Sequence, residues 1–363
     1  MTQTGIPFLF MRGGSSRGPY MRREHLPKDE DTLAQVLVSI VGSGHPLNID
    51  GIGGGAAVTT KVAMLSISDD DWADVDYFFA QVGVEDGVVD FKPTCGNILV
   101  GVGPAAIEMG LVKPDAPSTE VRIRAVNTGA RVAAQVRTDG SSANYDGDTQ
   151  IDGVPGTAAP VQLMFHDVVG GATGAMFPTG RRIDVIEGMS VTCMDVAMPM
   201  VIARAADFGL SGHETPADID ANRGFFHRME AVRKKAGELM GMGDVSNSVT
   251  PKFGLLAPAR DGGTAATRYF MPWKTHPTLA VTGSQCLSAC LLCPGTIGEG
   301  VVTGVFASPS VLTLEHPMGK MDVSVAFEIS ETEFLLHSAG VVRTARKLAA
   351  GEVYVPRAVW AGD

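Results

Sequence analysis

Lys61 and Cys95 are the two side chains whose surroundings best suit proton chemistry. Cys95 stands in Pro93-Thr94-Cys95-Gly96-Asn97-Ile98-Leu99-Val100, a loop that runs into an apolar stretch over 98–112. Val102, Ala105, Ile107, Met109 and Leu111 leave that stretch without a polar face, so it reads as a helix enclosed by protein. Such a helix offers chemistry its N-terminus. The first amides are unpaired and the dipole is positive there, which favours a thiolate or a docked anion. Cysteine is also among the most buried residue types, and an inert core thiol is the competing reading. Lys61 lies in Val58-Thr59-Thr60-Lys61-Val62-Ala63-Met64-Leu65, which reads as a strand. Burial there would disfavour the ammonium and make the amine a general base for a proton alpha to a carbonyl. Alternation along a strand favours the ordinary alternative, a lysine that faces solvent.

A second stretch has the same design as the one around Cys95. Val281-Thr282-Gly283-Ser284-Gln285-Cys286-Leu287 again places a glycine and a small polar residue before an apolar run. Two buried helices that start alike point to a duplicated domain, each half aiming a positive helix end at one shared cleft for a polyanion. Matching Gly96-Asn97 with Gly283-Ser284 puts Thr282 where the first half has Cys95. Just ahead, Pro272-Trp273-Lys274-Thr275-His276-Pro277 delivers Lys274 and His276 to the second helix start. Near the N-terminus, Ile6 to Met11 reads as a strand that feeds Arg12-Gly13-Gly14-Ser15-Ser16-Arg17-Gly18. Closely approaching backbone, two hydroxyls and two guanidiniums suit a carboxylate; a plain tight turn is the commoner meaning of Gly-Gly. A second glycine loop, Asn48-Ile49-Asp50-Gly51-Ile52-Gly53-Gly54-Gly55, precedes Lys61.

The elements that must position these groups follow the same duplication. A helix over 29–41 with an acidic first turn, strands over 73–84, 120–126 and 131–136, and the helix after Cys95 make the first half. The second half runs strand, turn, strand over 189–203, an amphipathic helix over 223–240, a strand over 253–257, the stretch 267–271 with its following loop, and the second apolar helix. Strands over 301–306, 321–327 and 334–342 complete it. The expected class is α+β with a domain cut near Asp184, giving domains 1–184 and 185–363. The chain's 363 residues suffice for two cores. Its net charge of −11 lacks the concentrated basic footprint that nucleic acid requires. No leader-like segment or long apolar window is apparent, which gives a cytoplasmic expectation with no membrane partner. Five cysteines are an odd set for a disulfide framework.

Two motifs mislead. Cys286-x3-Cys290-x2-Cys293 imitates an iron–sulfur signature, but the thiols fall on one side of a buried helix with too little chain following for the barrel that such chemistry needs. Zinc would want a fourth ligand at short spacing, and no metal is expected. Gly101-x-Gly103-x-x-Ala106 imitates a dinucleotide fingerprint inside the apolar helix, where its glycines read as close packing.

The ordered series Arg12 to Gly18, Ile49-Asp50-Gly51-Ile52-Gly53-Gly54, Thr60-Lys61-Val62-Ala63 and Cys95-Gly96-Asn97-Ile98-Leu99 resembles the 2-methylaconitate isomerase family. Ile151-Asp152-Gly153-Val154-Pro155-Gly156-Thr157, Arg204 to Gly209 and Met242-Gly243-Asp244-Val245 extend the likeness over nearly the whole chain, nearest to the family's 4-oxalomesaconate tautomerases. The resemblance implies a diaminopimelate epimerase-like fold, two pseudo-symmetric domains that each wrap a mixed sheet around a central helix, with the active site between them. It implies Lys61 and Cys95 as the catalytic pair. Arg12, Ser15, Ser16, Gly96, Asn97, Lys274, His276, Gly283 and Ser284 would then meet the carboxylates of a small tricarboxylate, without a cofactor. The family commonly has Thr-Ser-Lys where this chain has Ser15-Ser16-Arg17. Alternatives are 2-methylaconitate cis-trans isomerisation and, in another class, a non-catalytic tricarboxylate binder. A homodimer is compatible with all three. Racemases and epimerases of this fold use a cysteine at both helix starts; a lone Cys95 implies one base working on one face.

Overall fold

The computed structural model describes residues 2–271, 273–302, 306–330 and 333–362. The chain forms two compact units, Met1–Leu163 with Val342–Asp363, and Met164–Val341. The boundary therefore falls ahead of the expected cut at Asp184, and the C-terminal residues return to the first unit. They do so because the last strand pairs antiparallel with the first, from Gln3 opposite Pro356 to Gly13 opposite Ala345.

In the first unit, β1 (Gln3–Gly13) turns through Gly14 and Ser15 into β2 (Ser16–Arg22). Gly14 has φ of +50°, a conformation that favours glycine. Helix α1 (Glu30–Val41) starts where the Asp29 carboxylate accepts from the Thr32 amide at 2.8 Å. It stops at Gly42 in the left-handed region, φ 78°. Its buried side chains, Leu33, Val36, Leu37, Ile40 and Val41, repeat at helical spacing and form one face on the sheet. Next come β3 (Lys61–Ile67), β4 (Val75–Val82), β5 (Val89–Asp90), α2 (Gly96–Val100), α3 (Val102–Glu108), β6 (Ser118–Ala125), β7 (Ala130–Arg137) and β8 (Pro160–His166). The sheet order is β1-β2-β3-β4-β6-β7.

The second unit holds β9 (Asp184–Ile186), β10 (Met189–Asp195), β11 (Pro199–Arg204), α4 (Pro216–Ala221), α5 (Arg223–Leu239), β12 (Lys252–Pro258) and β13 (Ala265–Phe270). Then follow α6 (Val281–Leu292), β14 (Ser310–His316), β15 (Gly319–Ile329) and β16 (Phe334–Pro356), whose later residues belong to the first unit. Pairing along β1, β2, β3, β4, β6, β7 runs antiparallel, parallel, antiparallel, parallel, antiparallel. Along β10 to β15 the same sequence recurs. Helices follow β2 and β11, and the central helices follow β4, after the short β5, and β13. This is a duplicated α+β architecture, each unit a mixed sheet with one central apolar helix.

Both central helices are core on all sides. Ile98, Leu99, Val100, Val102 and Ile107 are buried in α2 and α3, and every residue from Gly283 to Leu292 is buried in α6. Each such aliphatic side chain contributes about 1.5–3 kcal/mol, so the sheet holds these helices tightly. The first helix is nonetheless interrupted at Gly101 and ends at Glu108, short of the expected 112. Pro104 has no amide to return to the Val100 carbonyl, which accounts for the break. Gly103 packs on the sheet: a Cβ there would lie 2.9 Å from Val136 Cγ2.

Other expectations shift in detail. The strand expected over 58–65 starts only at Lys61, because Ala57–Thr59 forms a 3-10 turn closed by the Thr59 hydroxyl on the Ala56 carbonyl at 2.8 Å. Strand β14 went unforeseen. Of the strand expected over 301–306, Val301 and Val302 lie in turn structure and residues 303–305 lie outside the described residues.

Gly18 allows β2 to lie against β3, since a Cβ there would sit 1.8 Å from the Lys61 carbonyl oxygen. Gly18→Ala must push these paired strands apart and is expected to destabilise the chain by about 3 kcal/mol. The denaturant midpoint measures it.

Candidate active site

In the first unit the glycine hairpin and the start of α2 are built onto each other. A Cβ on Gly13 would lie 2.4 Å from the Asn97 carbonyl oxygen, and one on Gly14 would lie 2.2 Å from Asn97 Oδ1. The two glycines are thus what permits the approach. Across it, the Ser15 amide donates to Asn97 Oδ1 at 3.4 Å, and Asn97 Nδ2 donates to Ser15 Oγ at 3.2 Å. Ser15 is exposed. Ser16 is buried, and its hydroxyl has no hydrogen-bond partner among the described residues. Arg12 does not present its fork to this loop. Its Nη1 donates to the carbonyls of Gly14 (2.8 Å) and Thr344 (2.9 Å), and the Gly14 amide donates to the same Thr344 carbonyl at 3.0 Å. The guanidinium fastens the turn to β16.

Cys95 is the residue that caps α2, and Gly96 is the first helical residue. The Cys95 side chain is partly buried and makes no capping hydrogen bond. Its carbonyl accepts from the Leu99 amide at 2.9 Å and from the Tyr77 hydroxyl at 3.4 Å. Tyr20 donates to the Ile98 carbonyl at 2.5 Å. Burial first, and then repulsion from the neighbouring Cys95, hold both phenols well above the usual tyrosine pKa. They therefore stay protonated donors and fix the backbone of the helix start. Gly101 leaves room for this: a Cβ there would meet the Tyr20 hydroxyl at 2.3 Å.

Lys61 opens β3 directly opposite Gln81 of β4. Its Nζ donates to Gln81 Oε1 at 2.6 Å and stands 5.3 Å from the centroid of the Phe79 ring. Gln81 Nε2 donates to the Ala57 carbonyl (3.2 Å) and to Thr60 Oγ1 (3.1 Å), which turns the amide oxygen toward the lysine. The side chain is half-buried, so neither reading from alternation, solvent-facing or enclosed, fits it fully. Its partner is a neutral amide, not a carboxylate. Residues 77, 79 and 81 share one face of β4. Through that face, one strand positions Lys61 by Gln81 and Phe79 and Cys95 by Tyr77.

In the second unit, the loop ahead of α6 is pinned by its backbone. The Met271 amide donates to the Lys274 carbonyl (2.9 Å), the Thr275 amide to Asp220 Oδ1 (2.9 Å) and the His276 amide to the Tyr269 carbonyl (2.8 Å). Lys274 is exposed. The His276 ring lies against Tyr269, centroids 5.6 Å apart, and its Nδ1 accepts from the Thr278 amide at 3.0 Å. The neutral ring then carries its proton on Nε2. Burial, with the charge of Lys252 acting the same way, pushes the His276 pKa below its ordinary value. Gly283 is a packing residue, since a Cβ there would meet Tyr269 Cε2 at 2.5 Å. Ser284 is buried, and its hydroxyl donates to the Val281 carbonyl of its own helix at 2.7 Å. Thr282 Oγ1 faces Met198 Sδ at 3.4 Å. The cap of α6 is Ala280, so by cap position Ala280, and not Thr282, stands where Cys95 does.

Asn48 explains the second glycine loop. Its Nδ2 donates to the carbonyls of Gly42 (3.1 Å), His45 (3.2 Å) and Val84 (3.0 Å), while Oδ1 accepts from the Gly55 amide at 2.8 Å. That loop is wound around one buried side chain. Cys286, Cys290 and Cys293 are free and buried, and burial pushes Cys290 to about 12 and Cys293 to about 11. Among the described residues no three His, Cys, Asp or Glu side chains gather as metal ligands. No described helix is long and apolar enough to cross a membrane. Tyr20, Tyr77 and Gln81 were not foreseen from the sequence. In Gln81 the signal was a polar residue within an otherwise closing apolar run.

Comparison with known proteins shows the family. The family model described as PrpF protein matches residues 3–356. YbhH of Escherichia coli (strain K12), whose name carries a provisional isomerase assignment and no substrate, is 47% identical over 351 residues, 97% of this chain and 99% of its own. The 4-oxalomesaconate tautomerase of Pseudomonas putida is 42% identical over 362 residues, 100% of this chain and 99% of its own. A crystal structure of methylitaconate-delta-isomerase shares the fold, with a TM-score of 0.91 at 33% identity, covering 99% of this chain and 97% of that one. With a family match over nearly its full length and isomerases as its full-length relatives, the chain belongs to the PrpF family and is an isomerase.

Proposed function

We propose that this enzyme tautomerises 4-oxalomesaconate by a 1,3-allylic proton transfer, without a cofactor, in the breakdown of aromatic acids. The observation that carries the reading is the Lys61 ammonium held by the neutral Gln81 amide at 2.6 Å, on the strand whose Tyr77 also holds Cys95. The identity of 42% to a protein named for that substrate supports the choice of tricarboxylate.

The methylene alpha to the keto group is already acidified, so an amine base suffices. Lys61, as free amine, takes one methylene proton. The electron pair enters the conjugated system as a dienolate, and the proton is delivered two carbons away as the double bond moves. The free amides at the start of α2 stabilise the negative charge, and Cys95 beside them serves as acid partner or as positioner. Ser15, the unpartnered Ser16 hydroxyl, Gly96 and Asn97 receive carboxylate oxygens, and Lys274 and His276 are the further carboxylate partners. Arg12 acts by holding the hairpin. One base on one face does both transfers.

Gln81→Glu tests the clasp. A carboxylate beside Lys61 favours the ammonium, so less free amine is present at any given pH. At neutral pH kcat/KM is expected to fall by about 10-fold or more. Steady-state rates on 4-oxalomesaconate and on 2-methylaconitate test the substrate. Turnover of 2-methylaconitate alone overturns this reading.

A further inference from the structure

The duplication extends to a second lysine. Lys252 is the first residue of β12, as Lys61 is the first residue of β3. The pairing registers make the match residue by residue. Two positions along each strand, Ala63 faces Phe79 and Gly254 faces Tyr269. Farther on, Val75 faces Ile123 and Ala265 faces Leu314, the same offset in both units. Tyr269 thus occupies the place of Phe79, the ring beneath Lys61, and Tyr269 is the residue that carries His276.

One difference matters for chemistry. By the same count, the residue opposite Lys252 is Met271, one step past the Phe253–Phe270 pair, where the first unit has Gln81. A thioether gives an ammonium almost nothing to donate to. Among the described residues no hydrogen-bond acceptor or carboxylate engages the Lys252 ammonium. The surrounding charge is one-sided. Arg233 is fully buried, clamped by Glu230 at 2.6 and 2.8 Å. Its Nη1 also holds the carbonyls of Ser248 (3.2 Å), Thr250 (3.4 Å) and Pro251 (3.4 Å), the residues that lead directly into Lys252. Glu230 balances Arg233 and leaves the lysine uncompensated. Burial and the Arg233 guanidinium both push the Lys252 pKa down, and Lys252 in turn pushes down that of His276. A half-buried ammonium, rigidly placed and lacking one negative charge, is a receptor for an anion.

We infer that Lys252 binds a carboxylate of the substrate and takes no part in the proton transfer. This rests on the tricarboxylate reading above.

Calorimetric titration with propane-1,2,3-tricarboxylate tests it on wild type, Lys252→Met, Lys252→Arg and Lys61→Met. Losing one charge-assisted hydrogen bond is expected to weaken Kd by about 10- to 100-fold in Lys252→Met. Lys252→Arg keeps the charge and should recover most of the affinity, and Lys61→Met should bind. In turnover, Lys252→Met should raise KM by a similar factor while kcat changes little. Lys252→Gln replaces the methionine variant if that does not fold. Unchanged affinity in Lys252→Met, no binding to wild type, or loss of kcat with KM and Kd unchanged would each overturn the inference. Lys252-dependent binding without turnover of 4-oxalomesaconate would uphold it and reject the proposed substrate instead.

Discussion

Lys61→Met is expected to lower turnover by about 10⁴-fold, the upper range for removal of a general base, while the protein still folds. Methionine keeps the length of the stem and its packing on the Phe79 ring, 5.3 Å from the lysine nitrogen at present. What is lost is the nitrogen and its bond to Gln81 Oε1. An unsatisfied amide oxygen costs about 1–3 kcal/mol, and less here because the site is half-open to water. Far-ultraviolet circular dichroism and a denaturant curve separate the two effects. A variant that folds, binds tricarboxylate and does not turn over identifies Lys61 as the base. Wild-type rates in that variant would remove Lys61 from the mechanism.

Cys95→Ser should move activity and stability in opposite directions. The thiol sits at the cap of α2 and makes no capping bond. Serine is among the preferred capping residues because its hydroxyl accepts from the amides of the first turn. Stability is therefore expected to hold or to rise by about 0.5–1 kcal/mol. The same hydroxyl, drawn onto the helix amides, competes with the substrate for them and is a far weaker acid than a thiol. A fall in kcat of about 100-fold is expected. Cys95→Ala separates the two causes, since alanine has neither the acid nor the competing hydroxyl: near wild-type activity in alanine makes the serine loss a competition for the helix amides, whereas a loss in both variants marks the thiol as the acid. A serine variant with full activity would make Cys95 an inert cap.

The features of the site that sequence made legible are those where chemistry and local structure coincide. Gly13 and Gly14 could mark a close backbone approach or a plain tight turn, and they do both, at a hairpin turn that approaches Asn97. The apolar run after Cys95 reads as a core helix, and its burial bears this out, although it is divided into two short helices at Gly101. The duplication was visible in two similar helix starts, and the strand pairings repeat it in full. What was hidden depends on register between strands far apart in sequence. Nothing local to Gln81 says that it faces Lys61, and nothing local to Tyr77 says that its hydroxyl reaches the Cys95 carbonyl. Arg12 was read as a substrate ligand because an arginine beside glycines commonly is; its carbonyl partners include one on a strand more than three hundred residues later, as the Thr344 contact shows. The start of α6 slipped for a related reason. Gly283 aligns with Gly96 as a motif, but Gly283 is there to fit the Tyr269 ring, and the helix begins two positions earlier, at Val281 behind its Ala280 cap. Lys252 escaped because its meaning lies only in its symmetry with Lys61.

The most direct test of Lys61 as the base of an allylic shift is proton magnetic resonance in heavy water, following the methylene alpha to the keto group of 4-oxalomesaconate. Wild type should remove that signal as the new methylene two carbons away appears, and Lys61→Met should do neither over many wild-type turnovers. Loss of the methylene signal at an undiminished rate in Lys61→Met would contradict it.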